Sequence, residues 1–123
     1  MIDLPWPPKD LSPNARVHWA KKSAAAREYR ALCFALCKQA ALEVPDGEIL
    51  LAIDFFPPDA RRRDDDNCLA MFKSGRDGLA DALGIDDSRF VTQLRLSRKP
   101  VKGGFVRVRI EPYEDLAQDA QAS

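Results

Sequence analysis

Three aspartates and an asparagine stand in succession, Asp64, Asp65, Asp66 and Asn67, directly after Arg61, Arg62 and Arg63. Carboxylates this crowded repel one another by roughly 1 kcal/mol or more per close pair at intermediate dielectric, so something must offset the repulsion. A divalent cation would do so. Oxygen donors with no His or Cys beside them suit Mg²⁺ or Mn²⁺ better than zinc, because these ions take one or two carboxylates, keep several waters and bind substrate phosphate. Helix capping is the plainer explanation, since Asp and Asn satisfy free N–H groups at a helix start, although one Asp suffices for that. Asp86 and Asp87, in the turn GIDDSRF, form a second carboxylate pair. The arginines would grip phosphate beside a metal held by the acids, or else form a solvated loop that neutralises them. Lys73 follows Asp66 by seven residues, about two helical turns. It could stabilise a developing phosphorane charge or a leaving oxygen, or simply pair with Asp77.

The 123 residues balance 19 Lys and Arg against 19 Asp and Glu, and 46% are hydrophobic, which describes one ordinary globular domain. No apolar run approaches a membrane span, and MIDLPWPPKD lacks the basic-then-apolar layout of a secretory signal, so a cytoplasmic protein is expected. Cys33, Cys37 and Cys68 contain no CxxC pair and read as buried free thiols. The neutral total hides polarity. Residues 64–87 carry seven acids and two bases, the stretch from Glu111 carries four acids and no base, and the remainder holds 17 bases against eight acids. That arrangement could draw a polyanion around an acidic centre, or the charges could simply mix again on the folded surface.

The elements that must position these residues are legible from periodicity. IDLPW suits a short strand, followed by an extended polar loop. Between about Trp19 and Leu42, Ala25, Tyr29, Leu32, Leu36 and Ala40 step by three or four and predict an amphipathic helix ended by Pro45 and Gly47. EILLAIDFF is apolar on both faces, as a central strand is. A second helix should start in the DDDN run and end before Gly84, with Leu69, Phe72, Leu79, Ala80 and Leu83 facing the core and Gly75 and Gly78 weakening it. Strands near Phe90 to Lys99 and Gly104 to Pro112 are expected to form a hairpin through PVKGG. Its Phe90, Leu94, Leu96, Val106, Val108 and Ile110 face should be apolar and its Gln93, Arg95, Arg107 and Arg109 face basic. Residues 111–123 read as a frayed acidic tail. The fold class is therefore a single α/β domain of order β-α-β-α-β-β, a mixed sheet packed against two helices.

The order LPWPP, basic loop, helix, hydrophobic strand, RRRDDDN, a helix ending in DALG, IDD and a last basic hairpin resembles the RusA family of Holliday-junction resolvases of phage and prophage origin. The resemblance spans Ile2 to about Glu111, and its most specific part is R-D-x-D-N followed by DALG and DD. It implies a homodimeric, Mg²⁺-dependent endonuclease that nicks paired strands of four-way DNA junctions in recombination and repair. By position, the catalytic acids fall on Asp64, Asp66 and Asp87, with Asp65 and Asp86 as supporting residues. The family's best-known members carry a lysine where this chain has Ala70, and Lys73 lies one helical step further on. Two other readings are a DNA-binding module whose acids only cap a helix, and a phosphoesterase acting on small substrates.

One straight helix over residues 67–83 would be about 25 Å long and would leave Asp66 and Asp87 at opposite ends. The loop after Gly84 could return along it, Gly75 and Gly78 could bend it, or the acids could meet across a dimer interface. DNA contacts should be distributed over Arg16, Lys21, Lys22, Arg27, Arg61, Arg62, Arg63, Arg95 and Arg107, and the lone His18 in the basic loop is either a further phosphate contact or without a role. Trp6 and Trp19 could stack on unpaired bases, but beside apolar elements they are expected in the core.

Overall fold

A computed structural model describes residues 1–114 of the protein. The elements are β1 (Ile2–Pro5), α1 (Trp19–Ala40), β2 (Ile49–Phe56), α2 (Asp65–Met71), α3 (Lys73–Leu83), β3 (Phe90–Leu96) and β4 (Phe105–Pro112), with 3-10 turns at Lys9–Leu11 and Asp87–Arg89. They build a small α/β domain whose sheet, in the order β1-β4-β2-β3, is mixed: β2 pairs parallel with β3 and antiparallel with β4. Glu111 and Pro112 pair with Leu50 and Ile49, so the start of the expected frayed tail is strand; residues 115–123 lie outside the described residues.

The expected β3–β4 hairpin does not form. Strand β2 alternates fully buried Ile49, Leu51, Ile53 and Phe55 with half-buried Leu50, Asp54 and Phe56. A strand so apolar needs a neighbour on each edge, and a hairpin would have left one edge bare. The chain instead crosses the end of β2, where Ser97 N–H donates to Phe55 O at 2.9 Å and Val101 N–H donates to Pro57 O at 2.9 Å. A side chain at Gly104 would strike Pro58, whose backbone N lies 2.9 Å from the position of the missing Cβ. The alternation within each strand is nevertheless as expected, with Val106 and Val108 buried and Arg95 and Arg109 exposed.

Among the described residues there are three α-helices rather than two. The break falls at Phe72, not at the glycines. Phe72 is fully buried, and its ring meets Phe55 and Tyr29 edge-on at 5.9 and 6.2 Å between centroids. Gly75 and Gly78 serve close packing instead: a Cβ on Gly75 would lie 2.7 Å from Tyr29 Cε2, and one on Gly78 would overlap the Arg30 carbonyl oxygen of α1. Gly84 ends α3 in the left-handed region at φ 66, as its position suggested.

Helix α1 turns the expected stripe inward in part: Ala25 and Leu36 pack half-buried on the core, Ala40 is exposed, and the two cysteines are buried as expected. It buries Tyr29, Cys33 and Cys37, while Leu32 is 41% exposed. Burial pushes the Cys33 thiol up to about 12, and Cys37 and Cys68 shift the same way for the same reason. Tyr29 Oη donates to Pro5 O at 2.6 Å and so joins α1 to the end of β1. Gly78→Ala should destabilise the protein by about 2 kcal/mol through overpacking against the α1 backbone, read as a lower denaturation midpoint with unchanged slope.

Candidate functional site

The acidic run sits where β2 hands over to α2. Asp64 is extended (φ −112, ψ 160) and caps α2: its carboxylate accepts the Asn67 N–H at 2.7 Å and the Asn67 side-chain amide at 3.0 Å. One acid therefore performs the capping role. Asp65 and Asp66 occupy the first turn, exposed and in no ion pair among the described residues.

The three arginines do not neutralise this run. Arg63, whose side chain is only 17% exposed, donates to Asp59 Oδ1 at 2.9 Å, to the Asp59 carbonyl at 3.2 Å and to the Arg61 carbonyl at 3.1 Å. It also lies over the Trp6 ring at 5.5 Å. Arg61 stands 3.8 Å from the same Asp59 carboxylate, whose pKa is lowered chiefly by Arg63. Asp59 thus tethers the loop, a role absent from the sequence reading, and its place four residues before Arg63 was the available signal. Arg62 is exposed and in no ion pair among the described residues; with Arg61, Arg95 and Arg98 it lines a groove that also contains Asp65. Arg98 was not among the expected DNA contacts.

The second carboxylate pair lies elsewhere. Asp86 accepts the Ser88 N–H at 2.8 Å, and that bond lowers its pKa. Asp87 meets Arg76 of α3 at 3.4 Å; Arg76 also donates to Thr92 Oγ1 at 3.1 Å and covers the Phe90 ring at 5.2 Å. Arg76, read in the sequence only as one more base, locks this turn to α3. Asp65 shares its groove with Leu94 to Arg98, at the end of β3, whereas Asp86 and Asp87 precede the start of β3 at Phe90. At about 3.3 Å per residue β3 runs about 20 Å between its two ends. The expected metal set of Asp64, Asp66, Asp86 and Asp87 is therefore not assembled within one chain. Among the described residues no three His, Cys, Asp or Glu side chains stand close enough to hold a metal ion.

Lys73 also departs from expectation. The break at Phe72 interrupts the helical register that would have aligned it with Asp66, and Asp77, its alternative partner, faces Arg30 at 4.0 Å. Lys73 lines a separate groove with Trp19, Lys22 and Arg27. Of the other expected DNA contacts, Arg16 is exposed and Lys21 lies 3.9 Å from Asp10. Arg107 is held by Asp3 at 2.7 and 3.1 Å and lies over the stacked rings of Phe56 and Phe105. Arg95 and Arg107 both flank Asp54 in register, so the basic strand face carries an acid along its middle. Trp6 is half-buried with its edge against Phe55, whereas Trp19 is exposed rather than in the core. No helix among the described residues is long and apolar enough to cross a membrane.

These features define a two-layer α/β protein with an acidic run over one end of its sheet and a basic groove beside it. No protein-family model matches the chain. An uncharacterized protein of Xylella fastidiosa (strain Temecula1 / ATCC 700964) is 52% identical to it over 95 residues, which cover 74% of this chain and 62% of that relative. The chain thus spans less than two thirds of that relative's length.

The two neighbouring arginines have separable roles. Arg63→Ala should cost about 2 kcal/mol of stability through its lost hydrogen bonds and its contact with Trp6, whereas Arg62→Ala should leave the melting temperature unchanged. Thermal melts of both variants check this.

Proposed function

We propose that the protein is a divalent-metal-dependent endodeoxyribonuclease of the RusA type, which as a cytoplasmic homodimer resolves four-way DNA junctions in recombination or phage DNA processing. The observation that supports this best is electrostatic. Asp65 and Asp66 stay exposed and in no ion pair among the described residues: Arg63 and Arg61 are engaged by Asp59, and Arg62, which lines a groove with Asp65, pairs with neither. Capping accounts for Asp64 alone. That bond favours the rival reading, a non-catalytic DNA-binding module, for one acid and leaves the other two unexplained.

The donors are hard oxygens, which suits Mg²⁺ or Mn²⁺, but one chain does not bring them together. The assembly of two chains offers a route. Strand β3 is an edge of the sheet and has no strand partner on its outer side among the described residues. Antiparallel pairing of two such edges about a two-fold axis sets the start of one strand beside the end of the other. The partner's Asp87 would then approach Asp65 and Asp66, and two such composite sites would serve the two strands of a junction. A divalent ion in such a site supplies charge stabilisation at the phosphate and a water acidic enough to attack near neutral pH. The chain's own contribution is to hold the carboxylates and to seat flanking phosphates on Arg62, Arg95 and Arg98.

A labelled four-way junction and a linear duplex, each incubated with protein and either Mg²⁺ or chelator, test this reading. Junction-selective cutting that needs Mg²⁺ is expected. Asp66→Asn and Asp87→Asn should each reduce it by more than the roughly 10–100-fold typical of outer-shell metal partners. A mixture of the two variants should regain single-strand nicking, since a mixed dimer retains one intact composite site. No cutting by the unmodified protein would leave the capping module as the better reading, and no nicking by the mixture would refute the shared site.

A further inference from the structure

Trp19 is 74% exposed in the first turn of α1. Its indole meets a protein ring at His18, 5.5 Å between centroids. His18 is fixed as the helix cap, its Nδ1 accepting the Ala20 N–H at 3.2 Å. The indole borders a groove lined by Leu11, Ala70 and Met71, by the cations Lys22, Arg27 and Lys73, and by one acid, Asp77, which faces Arg30 at 4.0 Å. None of these three cations has an ion-pair partner among the described residues, whereas Arg30, also in the groove, is bound to Asp81 through two hydrogen bonds of 2.6 and 3.0 Å. Ser74 Oγ, which is buried with no hydrogen-bond partner, lines the same groove.

The groove is not isolated. Met71 also lines a second groove with Trp6, Lys9, Arg62 and Asn67, so the two flank α2, whose first turn carries Asp65 and Asp66. From Asp65 to Met71 is about 9 Å along the helix. A flat aromatic face gives a base a surface to stack on, and uncommitted cations beside it give the adjoining phosphates their counter-charges. An acidic peptide would use the cations but not the face. A packed protein partner would need a wider apolar patch than one indole provides.

We propose that Trp19 is a stacking platform for an unpaired base of single-stranded DNA, with the flanking phosphates held by Lys22, Arg27 and Lys73. The choice of DNA rests on the function proposed above, and the groove would take a strand that leaves the duplex near the acidic run.

A short fluorescent oligothymidylate, a blunt duplex and a polyglutamate peptide of matched charge are titrated against the full chain without metal. Binding of the oligothymidylate should quench tryptophan emission in the unmodified protein. Trp19→Ala should lose that quench and bind the oligothymidylate about tenfold more weakly, within the range that stacking of one base contributes, while Trp19→Phe falls between. Duplex affinity should be unchanged, and far-UV circular dichroism confirms that the variants fold. Equal oligothymidylate affinity in Trp19→Ala, no binding by the unmodified protein, or an equal quench by polyglutamate would overturn the platform. Junction cutting discriminates further. A protein that cuts junctions while Trp19→Ala binds single strands normally loses the platform and keeps the nuclease. One that never cuts but binds single strands through Trp19 keeps the platform alone.

Discussion

The burial of Phe72 governs the arrangement of everything else. Its ring must lie between Phe55 of the central strand and Tyr29 of α1, and the helical segment breaks there to let it in. After the break, α3 lies so close to α1 that Gly75 and Gly78 leave no space for a methyl group. Before the break, α2 is a short helix whose capped start carries the acidic run over the end of the sheet. A continuous helix could not satisfy both demands.

Charge is organised by the same economy of space. Most arginines expected to meet DNA are divided between structure and solvent. Arg63, Arg76 and Arg107 each combine a carboxylate with an aromatic ring and thereby fix a loop or a strand edge. Arg62, Arg95, Lys22 and Arg27 are in no ion pair among the described residues. The division matters for binding, because a cation already held by a carboxylate contributes less to an incoming phosphate than a free one.

Much of the fold was legible in the sequence because it rests on local periodicity. The strands, the long helix, the capped start at Asp64 and the glycine end at Gly84 all follow from patterns of a few residues. What escaped was set by distant neighbours. The β3–β4 crossing depends on β2 requiring two partners, and the helix break depends on a ring two elements away. Residue type places Trp19 in the core, and nothing in its own segment reveals that none of the described elements covers it. The candidate site was legible in its parts, the acidic run and the arginines, but not in its assembly. The sequence carries no marker that Asp86 and Asp87 stand at the far end of β3, or that Arg76 holds them there.

The central claim is that carboxylates separated within one chain share an ion between two. Mn²⁺ titration followed by electron paramagnetic resonance, at protein concentrations spanning dimer formation, addresses it most directly. The account predicts tight Mn²⁺ uptake that appears with the dimer and is lost in Asp66→Asn and in Asp87→Asn alike. Uptake independent of protein concentration and unchanged in Asp87→Asn would contradict it, as would no uptake at any concentration.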